Sequence, residues 1–396
     1  MKIKSLFFLL PVLVYGQNLL NDLKQKELGY DAQKAVQDSL ETEKSWINPL
    51  TLQYSYTKDN MLNTATVTKL FSISVNQPVF KSGAIYYSIK YAAHSKSYNL
   101  LNISIQKREL IKRAIDLAFD YKINQLNKQI VQLNIKNALI DINKKKESFL
   151  NGVGDSVLLN NAVLKLNSLK LSMADLKAND ENIKTSFANI SSLDISKVTL
   201  PVFKIISKKE FLNSNLEFIQ QEKLKKIKHD LYKMQLGNQM LSVSLNGSLN
   251  WQNVDYSQNT PQLQDYKRDY YRVGVSVILP LSVNALNKIE KTKIDYLKSG
   301  ILIEDKKQQL LNLYKNILNQ IKSVNEKINV YKSNIRIYED LIDSTKDSIS
   351  AGNATKSDLQ IMLNSKQTSI VNIEILKLKK QKLLLQMYYK LNNWKN

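Results

Sequence analysis

Few residues of this 396-residue chain can do covalent or metal chemistry. It has no cysteine, which excludes thiolate nucleophiles, disulfide frameworks and cysteine-based zinc sites. Its imidazoles are two, His94 and His229, so acid–base catalysis and histidine-rich metal sites have little to draw on. His94 reads as a surface position on a long helix, and His229 as part of the basic run Lys223 to Lys233. Gly152-Val153-Gly154 lacks the Gly-Lys-Ser/Thr that completes a phosphate-binding loop and sits between helical stretches, so it reads as a turn. No metal-ligand spacing, nucleotide loop or nucleophile elbow is present. What remains is fixed charge. Asp340, Asp343 and Asp347 recur at helical steps of three and four, on the side away from Tyr338 and Ile342, and Asp358 lies six residues past Gly352. The expectation is a protein that is not an enzyme and uses no cofactor or metal.

The elements that position these residues are long. The chain is 43% hydrophobic and 23% charged, with 10 Gly and 6 Pro, a composition with few turns. Proline removes a helix hydrogen bond and clashes with the preceding turn, so Pro11, Pro49, Pro78, Pro201, Pro261 and Pro280 mark the joints. Two proline-free stretches lie between them, Gly83 to Lys197 and Ala285 to Asn396, and each is divided by glycine, at Phe149 to Asp155 and at Ile349 to Thr355. Both divisions read as a helix end, a tight turn and a newly capped helix. Gly152 and Gly352 are 200 residues apart, and Pro78 and Pro280 are 202 apart. Independent landmarks in such agreement predict a duplicated unit. The expected layout is a leader over 1–16, a first repeat over 17–200 and a second over 201–396. In the first, a hairpin spans about 49–80 and helices about 83–190; in the second, a hairpin spans about 241–281 and helices about 284–392.

Each half carries two stretches of period-2 alternation. From Leu241 to Trp251 the odd positions are apolar or Gly and the even ones are Ser or Asn; Tyr271 to Leu279 repeats this with Ile278 as the exception. Leu50 to Tyr56 and Phe71 to Val79 match them, with Gln77 as the exception. Such alternation predicts strands with one apolar and one polar face. At roughly 9 to 11 residues each they suit tilted strands crossing a bilayer. Trp251, Tyr256, Tyr266, Tyr270 and Tyr271 surround the intervening polar loop, as interfacial aromatics would.

The helices follow a different rule. Leu310, Tyr314, Ile317, Ile321, Val324, Ile328, Tyr331, Ile335, Tyr338 and Ile342 step by four and three, a coiled-coil seam. A similar seam runs from Leu159 to Ile190, with Asp180 as the misfit. Between Leu110 and Ile142 there are two seams displaced by two residues, one through Ala114, Leu117, Tyr121, Asn124 and Lys128, the other through Phe119, Ile123, Leu126, Ile130 and Asn137. Two residues rotate a helix by about 200°, so this helix requires a neighbour on each flank. That suits the wall of a water-filled cylinder better than a solid bundle, whose helices show one broad apolar face.

The start of the chain reads as a secretory leader: Lys2 and Lys4, the apolar stretch Leu6 to Val14, then Val14-Tyr15-Gly16 before a cut near Gln17. No apolar run reaches the 18 residues of a spanning helix. The formal charge of +22 would ordinarily point to nucleic acid. Removing the charges of Lys2 and Lys4 from that total leaves +20, but the remaining lysines are spread over every helical segment, and an exported chain does not meet chromosomal DNA. They read as solvated helix faces, with no nucleic acid partner.

With this order of elements the chain resembles the outer membrane efflux protein family, the TolC-like exit ducts, over nearly its whole mature length. Val75-Asn-Gln-Pro-Val-Phe80 and Val277-Ile-Leu-Pro-Leu281 are similar to the family's strand-to-helix junctions at Pro78 and Pro280. Ala351-Gly352, Thr355, Asp358 and Leu359 are similar to its turn signature. The first turn departs, since Gly152 is followed by Asp155 and then Leu158, and Ile361 stands where the family often has a second acid. The resemblance implies a mainly α chain with a small β part, built as a repeated strand-strand-helix-helix unit. It also implies a homotrimer in the bacterial outer membrane, whose four strands per chain make one 12-stranded barrel continued by a long helical coiled-coil barrel into the periplasm. Four strands are too few to close, and spanning strands must pair every backbone group, which on its own requires an oligomer.

The implied function is a passive exit duct for substrates delivered by an inner-membrane transporter through a periplasmic adaptor. The adaptor would dock at the turns, at Gly152, Gly154, Gly352 and Asn353. Three copies of Asp358, with Asp340, Asp343 and Asp347, become the candidate gate, where crowded carboxylates select cations. Locally, Asp358 also reads as a first-turn acid favouring its own helix. The alternative from another class is an exported periplasmic coiled-coil scaffold or adaptor without a pore; adaptors typically carry one helical hairpin, and this chain carries two.

Overall fold

The computed structural model of the protein describes residues 19–60, 64–257 and 263–394. The expected leader and Pro261 lie outside these residues. The element order is α1 (Asp22–Lys44), β1 (Thr51–Asp59), β2 (Thr66–Phe80), α2 (Ala84–Leu150), α3 (Ser156–Ala188), α4 (Lys208–Asn213), α5 (Leu216–Asn238), β3 (Ser242–Tyr256), β4 (Tyr266–Ile278), α6 (Ala285–Ser350) and α7 (Lys356–Tyr388). A strand pair, a helix of 67 residues and one of 33 are followed by a strand pair, a helix of 66 and one of 33. At 1.5 Å per residue α2 and α6 are each on the order of 100 Å long. None of the described helices is apolar enough to cross a membrane. The chain divides into two compact units, and each draws segments from both halves of the sequence.

One unit comprises Met1–Gly29, Ser104–Phe218 and Lys307–Asn396. Its core gathers Ala114, Ile115, Ala118 and Phe119 of α2, Ile183 and Phe187 of α3, Leu310, Tyr314 and Ile317 of α6, and Leu384, Leu385 and Met387 of α7. The two seams of α2 meet different neighbours. From one, Asn124 and Lys128 reach Asp180 on α3; from the other, Ile123 and Leu126 pack on Val371 and Ile375 of α7, and Asn137 accepts from Asn364 of α7 at 2.7 Å. The α3 seam follows the expected spacing, with Ala162, Leu166, Asp180, Ile183 and Phe187 all buried. The segment around Pro201 belongs to this core. Phe203 and Ile206 are buried, the Phe203 amide donates to Gln381 Oε1 at 2.7 Å, and Tyr314 Oη donates to the Ile206 carbonyl at 2.8 Å.

Asp180, the misfit of the seam, is buried because it is satisfied. Asn124 donates to Oδ1 at 2.8 Å, Gln125 to both oxygens at 2.8 and 2.9 Å, and Lys128 to Oδ2 at 2.8 Å. Burial opposes the charge, but the hydrogen bonds of Lys128, Asn124 and Gln125 outweigh it and hold the carboxyl below the usual carboxylate range.

The other unit comprises Tyr30–Ile103 and Ile219–Lys306 and holds the sheet. Its four strands are antiparallel in the order β1-β2-β3-β4. The expected strands are present, but β2, β3 and β4 run to 15, 15 and 13 residues, past the end of the apolar alternation. A ladder needs backbone partners and not an apolar face, so Thr66 still pairs with Tyr256, and Val254 with Tyr266.

Replacing Asp180 with Ala should cost about 2 kcal/mol or more, since it leaves Lys128, Asn124 and Gln125 without their acceptor. The drop in Tm measures this. The folded value of Asp180 is depressed, so its contribution is complete above the unfolded carboxylate value of about 4 and is lost as pH falls through the folded value. The variant's stability should lack that acid-dependent component.

Candidate functional site

Three features carry the residues singled out by the sequence: the two faces of the sheet, the strand-to-helix junctions and the two helical turns. Pairing register assigns every strand residue to a face. Leu52, Ile73, Leu249 and Tyr271 form one row across the four strands, and Tyr54, Phe71 and Trp251 lie in the next. This face is apolar and open to the surroundings: Leu52 is 64% exposed, Tyr54 65%, Val273 84% and Val275 67%. The opposite face carries Gln53, Ser72 and Asn250 in one row and Thr51, Ser74 and Ser248 in another. It is the recessed side, with Ser72 and Asn250 buried. The apolar side of β3 from Val243 to Trp251 rises on the order of 27 Å along the strand at ~3.3 Å per residue, close to the apolar band of a membrane barrel.

The aromatic rim differs in membership from the sequence expectation. Trp251 and Tyr271 are on the apolar face, but Tyr256, Tyr266 and Tyr270 alternate onto the polar one, because the period of a strand is 2. Tyr54, Tyr56 and Phe71 complete the rim instead, and the rings of Phe71 and Trp251 meet at a tilt of 35° with centroids 5.4 Å apart. Gln77 breaks the alternation because its amide leaves the sheet. Nε2 donates to the Trp46 carbonyl and Oε1 accepts from the Asn48 amide, both at 3.0 Å.

Pro78 sits near the end of β2 at a bulge, opposite Ser244, where the register slips before Phe80; a residue without an N–H is tolerated there. The chain then turns through Ser82 and Gly83, both at positive φ, with Ser82 Oγ donating to the Leu241 carbonyl at 2.7 Å. Pro280 lies between β4 and α6, two residues past the strand.

Both helical turns end on glycine in the left-handed region, Gly152 at φ +72° and Gly352 at φ +78°. The Gly352 amide donates to Ile349 O at 3.1 Å and the Asn353 amide to Ser348 O at 2.8 Å, closing the last carbonyls of α6. Gly154 is needed for a different reason: a Cβ there would come within 2.8 Å of the Phe149 amide. Asp155 caps α3 through the Val157 amide at 2.8 Å. The first turn exposes Leu150 and Val153, the latter at 86%. An ion pair between Lys144, near the end of α2, and Asp358, in the first turn of α7, brings the two turns to the same end of their unit.

Of the acids expected at a gate, Asp358 is engaged locally. Thr355 and Asp358 form a capping box, with Asp358 Oδ2 accepting from the Thr355 amide at 3.0 Å. Hydrogen bonds from Lys144 and then Thr355 hold its carboxyl well below the usual carboxylate range. Asp340, Asp343 and Asp347 are exposed on α6. Asp343 pairs with Lys346 at 2.9 Å, and that bond lowers its pKa.

A cluster the sequence did not reveal lies in the sheet-bearing unit. Both histidines turn Nδ1 to one carboxylate: His94 is 2.5 Å from Asp230 Oδ2, and His229 is 3.3 Å from Oδ1. Asp230 is 2% exposed. The cluster borders a hollow of about 630 Å³, lined also by Tyr87, Lys90, Glu222 and Tyr296. His94 and Asp230 are 136 residues apart, so no local spacing could have announced them. Among the described residues, no group of three or more His, Asp or Glu is arranged to hold a metal ion.

No family model and no curated protein matches the chain. Solved structures match it over nearly its full length. The outer membrane protein VceC from Vibrio cholerae aligns with a TM-score of 0.75 at 11% identity, over 94% of this chain and 94% of that one. The Campylobacter jejuni CmeC outer membrane channel aligns at 0.74 and 13%, over 94% and 84%. The open Neisseria gonorrhoeae MtrE outer membrane channel aligns at 0.67 and 12%, over 93% and 86%. At these identities the likeness is one of fold: this chain has the fold of the TolC-like outer membrane channels.

The turn geometry sets the expected response to substitution. Gly352→Val should destabilise the α6–α7 turn by about 1 to 2 kcal/mol, the strain of a side chain at positive φ. Gly154→Ala should destabilise the α2–α3 turn although its φ lies outside the left-handed region, because backbone must move. Hydrogen exchange confined to each turn, compared with wild type, checks both.

Proposed function

We propose that the chain is one subunit of a homotrimeric channel in the bacterial outer membrane, a passive exit duct. The observation that carries this is the sheet: four antiparallel strands with an exposed apolar face, a recessed polar face and two outer strands, β1 and β4, each paired on one side alone among the described residues. In a bilayer the free edges must be paired. β4 of one copy beside β1 of the next continues the antiparallel order, and three copies make a 12-stranded barrel with the apolar face toward lipid. The two strand-strand-helix-helix units are read as a duplication, supported by the matched helix lengths, and the long helices as the wall of the periplasmic part of the duct. Solved neighbours are outer membrane channels, which favours the same reading.

The duct works within a tripartite efflux or type I secretion system. An inner-membrane transporter delivers the substrate through a periplasmic adaptor, whose docking point is the pair of turns at Gly152, Gly154, Gly352 and Asn353, beside exposed Val153. Asp340, Asp343, Asp347 and Asp358 are the acids available to a gate at that end. Asp343 and Asp358 each face a lysine of their own chain, so its weight falls on Asp340 and Asp347.

Purified protein should require detergent, crosslink as a trimer and give discrete conductance steps in planar bilayers. A water-soluble monomer without conductance would instead establish a periplasmic scaffold or adaptor. Leu245→Asp should impair assembly, since it places a carboxylate on the lipid face, two residues from the middle of the apolar stretch Val243 to Trp251, at a cost of up to about 2 kcal/mol. Ser244→Asp, on the polar face, should assemble normally, and equal losses at both positions would refute the assignment of faces.

A further inference from the structure

The polar face of the sheet is almost free of full charge, and the charges it does carry are concentrated on β4. By register, Arg268 lies in the row of Ser55, Leu70 and Gln252, and Arg272 in the row of Thr51, Ser74 and Ser248. Both arginines are exposed. Tyr270 lies between them on the same face, with the Arg268 guanidinium 4.7 Å and the Arg272 guanidinium 5.0 Å from its ring centroid. This cation–π clamp holds both groups upright on the face without neutralising them. Among the described strand residues of this face there is one carboxylate, Asp59, at the far end of β1 in the row of Thr66 and Tyr256. Asp265, just before β4, turns to the Tyr256 amide at 2.7 Å. The remaining charged strand residues, Lys58, Lys69, Asp255, Lys267 and Asp269, alternate onto the other face, where Lys69 and Asp255 pair at 3.0 Å.

Arg272 also borders a hollow of about 510 Å³ on the sheet, with Asn76, Asn246 and Ser248 beside it. These side chains offer amide and hydroxyl donors next to the guanidinium, a set suited to a passing carboxylate, sulfate or phosphate.

We infer that Arg268 and Arg272, braced on either side of Tyr270, form a cationic collar inside the barrel that draws anionic solutes through the duct. This rests on the channel reading above, which sets the polar face toward the lumen and brings three copies of the pair around one axis. Rings of fixed positive charge lower the barrier to anions and raise it to cations. Their field extends about 8 Å at physiological salt and about 30 Å at 0.01 M, so the preference must grow as salt is lowered.

The test uses the full-length protein in planar bilayers, with potassium chloride gradients and inorganic tripolyphosphate as a polyanionic blocker. In R268Q/R272Q the chloride-to-potassium permeability ratio should fall several-fold relative to wild type, more at low salt, while conductance steps persist. R268K/R272K should keep the wild-type ratio. Tripolyphosphate on the hairpin side should block the wild-type channel and lose at least tenfold in potency on the Gln variant, and absence of wild-type block would overturn the collar even if that variant fails to assemble. An unchanged ratio in a conducting Gln variant would overturn the collar and leave the duct standing. Absence of conductance in every protein, wild type included, would overturn the duct and the collar with it.

Discussion

A strand in hydrocarbon must have each backbone N–H and C=O paired, and among the described residues the sheet of this protein leaves two edges open while displaying an apolar face. Each part of that arrangement makes the other consequential. An open edge beside water is tolerable, and an apolar face against a core is ordinary; an exposed apolar face ending in unpaired edges is what the proposed barrel would seat in lipid and close with further strands. The length of the apolar side of β3, its aromatic rim at Trp251 and Tyr271, and the recessed Ser and Asn of the other face all fit that demand. In the proposed trimer, the antiparallel order lets β4 meet β1 of the next copy without any change of direction.

The helical unit obeys a related constraint. A helix with seams on nearly opposite sides cannot satisfy itself with one partner, and α2 is flanked by α3 and α7. The seams also carry polar residues, and each is matched across the contact, Asn124 and Lys128 with Asp180, and Asn137 with Asn364. Long coiled contacts of similar apolar residues can slip by a heptad; a buried carboxylate with several donors is satisfied in one register alone. Asp180 is therefore read as a pin on the alignment of α2 with α3.

Charge is distributed with similar economy. Asp358 serves its own helix cap and a lysine of α2, a use that competes with any role at a gate. The arginines of β4 are treated differently: their partner is an aromatic ring, which positions a cation while leaving its charge available. An ion pair restrains and neutralises; a cation–π contact restrains and does not. That distinction leaves the charges of Arg268 and Arg272 available on the polar face, whereas Lys69 on the other face is paired with Asp255.

Much was legible in the sequence because it depends on local rules. Proline and glycine marked the joints, since helix interiors exclude one and left-handed turns favour the other, and Gly152 and Gly352 do adopt positive φ. Period 2 and the four-three step identified strands and seams, and the double seam of α2 foretold two neighbours. The resemblance to the TolC-like ducts rested on the order of those elements. Contacts between distant segments were not legible. The extension of β2 to β4 beyond their apolar stretch depends on ladder pairing, and which tyrosines share a face depends on register. The bond from Lys144 to Asp358 joins residues 214 positions apart, and that from His94 to Asp230 joins residues 136 positions apart. Periodicity states that a face exists; the partner brought to that face is chosen by packing, and only the tertiary structure carries that choice.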